Sequence, residues 1–137
     1  MYSDYSFVID IDGTLCPVKG KNETYEELAP YREMVQKIRY YKDHGAKIVL
    51  FTSRNMNSYH GNLGMINKHT AKILLEWLDQ WEIPYDEIIY GKPWPGKKGF
   101  YVDDRTIRPD EFLEKPLDEL EELCENARCK KESVIRI

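Results

Sequence analysis

The six residues Ala46-Lys47-Ile48-Val49-Leu50-Phe51 constrain the fold more than any other stretch of this sequence. They form a nearly unbroken apolar run. That is the pattern of a strand covered on both faces, and such strands belong to parallel sheets packed between helices. The residues ahead of the run agree. Pro30 opens a helix at a position proline favours, and Gly45 ends it. Between them Tyr31, Met34, Val35, Ile38 and Tyr41 recur at helical spacing and make one apolar face. A strand is expected earlier, over Tyr5–Asp10, and a short one over Glu87–Tyr90 after Pro84. A fourth is expected over Gly99–Asp103. A second helix is expected from about Met65 to Trp81, burying Ile66, Ile73, Leu74, Trp77, Leu78 and Trp81. Polar residues from Ser53 to Gly64 predict a loop, and Gly91–Gly96 reads as a run of turns. A last helix is expected over Pro116–Ala127, turning Leu117, Leu120, Leu123 and Cys124 inward. Alternating strands and helices predict an α/β fold with a mostly parallel central sheet.

The 137 residues suit one domain over 1–137, with 128–137 as a peripheral tail or, through Ile135 and Ile137, an edge strand. The net charge of −4 argues against nucleic acid held through its backbone, which calls for a basic excess. The longest apolar run is far short of the ~20 residues of a membrane span. Met1-Tyr2-Ser3-Asp4-Tyr5 carries no basic leader region, so the expected compartment is the cytoplasm. Cys16, Cys124 and Cys129 are then expected as reduced thiols.

In parallel α/β sheets ligands bind beyond the carboxyl ends of the strands. The first expected strand ends in Asp10-Ile11-Asp12-Gly13-Thr14, the second in Thr52-Ser53-Arg54. The third runs into Lys92, and the fourth ends in Asp103-Asp104-Arg105. Crowded carboxylates repel one another unless a cation joins them. Their hard oxygens suit Mg²⁺, which takes one or two carboxylates and completes its shell with water and phosphate. Thr52, Ser53 and Lys92 offer donors and a cation for phosphate oxygens. A carboxylate held against phosphorus can attack it, and a second Asp two residues on can move the protons. Alone, each piece has an ordinary explanation as a turn, a cap or a solvated charge. The string Asp-x-Asp-Gly-Thr is rarer, arising by chance in a chain this size on the order of once in a thousand.

These four segments, in order, resemble the four motifs of the haloacid dehalogenase-like (HAD) phosphatases. A narrower resemblance, to the small members annotated for capsule biosynthesis, rests on Phe51-Thr52-Ser53-Arg54-Asn55-Met56, Gly91-Lys92-Pro93-Trp94 and Tyr101-Val102-Asp103-Asp104-Arg105. The resemblance implies a three-layer Rossmann-like fold and a cytoplasmic, Mg²⁺-dependent phosphomonoesterase. Asp10 resembles the phosphoryl-accepting nucleophile. Asp12 resembles the acid/base, with its backbone carbonyl on the metal. Thr52 and Lys92 resemble the phosphate clamp, with Lys97 and Lys98 as competitors for the lysine's role. Asp104 resembles the direct metal ligand, with Asp103 behind it.

Such enzymes often insert a cap domain, but Cys16–Ala29 and Arg54–Lys68 are too short to be one. The chain therefore resembles the capless class, whose open site is covered by a loop or by a neighbouring subunit in a homo-oligomer. The candidate loop offers Arg54, Asn55, Tyr59 and His60 to the hydroxyls of a small sugar, polyol or amino-alcohol phosphate, with Trp94 as an aromatic wall. Two other readings stand beside this one. A phospho-accepting signalling receiver also gathers Asp, Thr and Lys around Mg²⁺, but Asp12 would promote loss of the phosphoryl group. An open site also admits a phosphoprotein or a nucleic-acid end.

Overall fold

Three parallel strands build one sheet: β1 (Ser6–Ile9), β2 (Lys47–Thr52) and β3 (Glu87–Tyr90), with β2 in the middle. The structure, a computed structural model, describes residues 1–130 and residue 135. The chain divides into two compact units, Met1–Trp94 and Pro95–Ile137, and the sheet lies in the first. The expected burial of the central strand holds: Ile48, Val49 and Leu50 are buried. Both faces of the strand are therefore covered, as its unbroken apolar run requires. Ile9 pairs with Leu50, and Leu50 with Ile88, so one apolar row crosses the sheet.

Helix α1 (Arg32–Asp43) buries Met34, Val35, Ile38 and Tyr41. Tyr31 stands at its N-cap and is exposed, off the buried face. After α1, Gly45 takes a φ of +99°, which lets Ala46 donate back to the Tyr41 carbonyl at 3.0 Å and start β2. The helix expected from Met65 to Trp81 comes as two, α2 (Leu63–His69) and α3 (Ala71–Gln80). The joint is Thr70. Its buried hydroxyl donates to the Asn55 side-chain oxygen at 2.6 Å, which ties the joint to the loop after β2. Trp77 is core, and its indole N–H donates to the Leu28 carbonyl at 2.6 Å. Trp81 is not core. It falls past the last turn of α3, in a non-helical conformation, and is 37% exposed. Between β1 and α1 a single 3-10 turn forms at Tyr25–Glu27 and touches α3.

The second unit holds α4 (Pro109–Glu114) and α5 (Leu117–Ala127). Phe112 and Leu120 are buried, while Leu117, Leu123 and Cys124 are half-buried. Helix α4 was not expected, although its signals are in the sequence. Pro109 takes a first-turn position, Asp110 and Glu111 follow it, and Glu111 accepts from the Arg108 backbone N–H at 2.9 Å. The strand expected over Gly99–Asp103 is absent among the described residues, and Val102 is 89% exposed. The approach to it is cramped. Gly96 has a φ of +80°, and a Cβ on Gly99 would fall 2.2 Å from the Pro95 carbonyl. The chain turns back on itself there and continues as irregular backbone. The expected edge strand at Ile135 and Ile137 lies outside the described residues except for Ile135, which is exposed. Among the described residues no helix is long and apolar enough to cross a membrane.

Asp86 fastens β3 to β2. Its backbone N–H donates to the Ile48 carbonyl, its carboxylate accepts the Ile48 N–H, both at 2.8 Å, and Lys42 donates to it at 2.5 Å. The Lys42 ammonium foremost, then the Ile48 N–H, holds the Asp86 carboxyl below its ordinary value of 3.8. A depressed folded value stabilises above the unfolded one and is lost as pH falls through the folded value. Asp86→Ala is expected to lower stability at pH 7 by about 1–2 kcal/mol. Urea melts should show the gap from the parent closing once the pH falls below the carboxylate range.

Candidate active site

The turn after β1 wraps around one carbonyl. Thr14, Leu15 and Cys16 all donate to the Ile11 oxygen, at 3.1, 2.8 and 3.2 Å. Gly13, at a φ of +88°, allows the reversal and donates to the Cys16 carbonyl at 2.7 Å. Asp10 and Asp12 stand on either side of buried Ile11, and Thr14 Oγ1 donates to Asp10 Oδ2 at 3.3 Å.

The end of β2 adds Thr52, which is 1% exposed. Its Oγ1 accepts the Arg54 N–H at 3.0 Å, a small hydroxyl turn that leaves the Thr52 proton to donate elsewhere. Half-buried Ser53 follows and accepts the Met56 N–H through its carbonyl at 2.9 Å. The end of β3 adds Lys92, whose N–H donates to the Thr52 carbonyl at 3.1 Å. Its ammonium lies 3.4 Å from Asp10 Oδ1. Gly91, just before Lys92, takes a φ of +84°, a backbone angle that favours glycine. Lys97 and Lys98 belong to the tight turn of the second unit. The structure thus joins Asp10, Asp12, Thr52 and Lys92 at one end of the sheet.

Arg54, expected among the substrate-contacting residues, is engaged within the fold. It is 4% exposed, and its Nε and Nη2 donate to Asp12 Oδ2 and Oδ1 at 3.1 and 2.8 Å. A buried guanidinium needs a counter-charge, and a two-pronged carboxylate is its best geometric match. The Tyr25 ring covers it, 4.1 Å from centroid to Cζ, with the Lys19 ammonium 5.5 Å from the same ring. Burial, then the Asp12 charge, pushes the Tyr25 phenol up. Nothing in the polar run around Tyr25 marks it in the sequence, because its partner lies far along the chain.

The rest of the expected substrate loop is partly engaged by the fold. Asn55, at a φ of +63°, accepts from Thr70, and the Tyr59 ring packs 5.7 Å from that of His69. His60 and Trp94 are exposed. Asp103 and Asp104 lie in the second unit. Asp103 accepts the Arg105 N–H at 2.9 Å, the main cause of its lowered carboxyl, and Asp104 accepts from Arg128 Nε at 3.2 Å.

Asp10 and Asp12 supply hard oxygen donors of the kind Mg²⁺ takes with water and phosphate around it. Among the described residues no group of three or more His, Cys, Asp or Glu side chains is placed to cage a metal ion.

The crystal structure of a structural-genomics target from Vibrio cholerae is similar at 43% identity and a TM-score of 0.84, covering 90% of this chain and 99% of that one. The chain belongs to the same family as that protein. A structure of a Pnkp1/Rnl/Hen1 complex matches at 20% identity and a TM-score of 0.46, covering 81% of this chain and 34% of that one. No family model matches the chain, and no curated protein matches it significantly.

Cys16 is fully buried, with Sγ 3.7 Å from Asp12 Oδ1 and 3.9 Å from Arg54 Nη2. Burial foremost, then the Asp12 charge, pushes its thiol up to about 12. It is therefore a neutral thiol at working pH and no nucleophile. Iodoacetamide on the folded protein at pH 8 should label exposed Cys129 first and leave Cys16 unmodified. Peptide mass mapping would read this, and early labelling of Cys16 would contradict it.

Proposed function

We propose that this chain, kin to the Vibrio cholerae protein, is a HAD-type phosphomonoesterase. It would act through an aspartyl-phosphate on a small sugar, polyol or amino-alcohol phosphate, and capsule biosynthesis is the setting its motifs suggest. The observation that carries the reading is the meeting of Asp10, Asp12, Thr52 and Lys92 beyond the carboxyl ends of three parallel strands. The three-layer arrangement without a cap belongs to the same proposal.

Lys92 and the Thr52 hydroxyl would bind the phosphate oxygens, replacing in part the present ion pair of Lys92 with Asp10. An Asp10 oxygen attacks phosphorus while the ester P–O bond breaks, and the leaving alkoxide takes its proton from Asp12. Water then gives a proton to Asp12 and attacks the acyl phosphate. The P–O bond to Asp10 breaks, freeing phosphate, returning Asp10 to its carboxylate and leaving Asp12 protonated as at the start. Mg²⁺, when bound, would neutralise phosphate and carboxylate charge, with the Asp10 carboxylate and the Asp12 backbone carbonyl as the residues of this unit that would hold it.

Phosphate release from a panel of small phosphate esters tests this. Activity should need Mg²⁺ and vanish with EDTA. Asp10→Asn should abolish it, and Asp12→Asn should lower kcat by ~10²–10⁴-fold, the usual worth of a positioned acid/base. Undiminished turnover in Asp10→Asn would overturn the nucleophile assignment.

A further inference from the structure

We infer that Tyr25 is a positioning residue: it holds the Arg54 guanidinium flat so that Arg54 fixes the carboxylate of Asp12. The catalytic part of this inference rests on the phosphatase reading above. Three observations carry it. Arg54 meets Asp12 through two different nitrogens and both carboxylate oxygens, which fixes the plane of that carboxylate as well as its place. Arg54 is itself buried, with its backbone N–H bonded to the Thr52 hydroxyl, so both ends of the residue are anchored. The Tyr25 ring lies 4.1 Å over the guanidinium carbon, on a 3-10 turn that touches α3.

A guanidinium is weakly hydrated across its faces and stacks well on an aromatic ring. Tyr25 thus shields the guanidinium from water and blocks its displacement toward the ring, motions that the two hydrogen bonds to Asp12 alone leave open. The segment Cys16–Ala29, too short for a domain of its own, supplies this ring. Its contribution is to the angle at which Asp12 faces a leaving group. Misplacing a reacting group by ~1 Å costs on the order of 10²-fold in rate, so orientation alone is a large effect. The ring is what matters. The phenol hydroxyl has no part in the fork, so phenylalanine should do the same work.

Two measurements on the full chain test the inference. In the first, Tyr25→Leu and the milder Tyr25→Met are compared with Tyr25→Phe, using p-nitrophenyl phosphate with Mg²⁺ and circular dichroism to check folding. Leu and Met are expected to lower kcat by about 10-fold or more with KM within 2-fold, the pattern of lost transition-state positioning. Phe should restore kcat to within about 2-fold of the parent. A folded Leu or Met variant with parental kcat overturns the inference, as does a Phe variant as impaired as Leu. In the second, the Arg54 Nε–H signal is followed by NMR, which needs no activity. It should stay distinct from solvent-exposed arginines in the parent and in Tyr25→Phe, and merge with them in Tyr25→Leu and Tyr25→Met. An unchanged Arg54 signal in the folded Leu or Met variant overturns the link. A parent inactive on every ester, with the Arg54 signal responding as expected, overturns the phosphatase reading while supporting the stack.

Discussion

Everything at the candidate site follows from the register of β2 between its two neighbours. Buried Ile9 lies beside buried Leu50, and Leu50 beside half-buried Ile88, so one apolar row crosses the sheet. Once that row is set, Asp10 follows Ile9, Thr52 pairs with Tyr90, and Lys92 reaches back to donate to the Thr52 carbonyl. The polar groups have no freedom to assemble otherwise. Apolar burial does the positioning, and the chemistry inherits its accuracy. The Asp86 carboxylate reinforces the arrangement at the opposite end of β3, where it stands in for a missing ladder partner of Ile48.

The sequence made the elements with strong periodicity easy to read. Strand β3 falls on its expected residues, while β1, β2 and α1 differ by one or two at their ends. The apolar face of α1 holds at Met34, Val35, Ile38 and Tyr41. What it hid were features set by distant partners. The joint at Thr70 arises because Asn55, fifteen residues earlier, takes its hydroxyl. Trp81 extends the apolar period by one step, but α3 has already ended there. Phe100-Tyr101-Val102 has strand composition, yet composition does not supply a ladder neighbour, and these residues form no strand. Mixed α/β character was legible, with a parallel sheet of three strands as the observed part of it.

The site was legible in its charges and not in its wiring. Asp10, Asp12, Thr52 and Lys92 stand out because each follows a strand, a signal readable from local pattern. Arg54 follows a strand too, and local pattern gave it to the substrate. Its burial against Asp12 and Tyr25 depends on tertiary contacts with two segments between β1 and α1, which no local window contains. Asn55 likewise had the look of a free amide and turns out to be a brace. Polar residues in a loop thus divide into those that meet a ligand and those that hold the loop. Only their partners tell the two apart.

Gly91 shows how far such dependence extends. It brings no functional group to the site, yet its φ of +84° is one that a side chain makes costly. The Leu63 methyl beside it belongs to an exposed, flexible side chain that can swing aside, so the constraint lies in the backbone and not in the space around it. The lysine's place at the strand end thus depends on a residue whose whole contribution is a torsion angle.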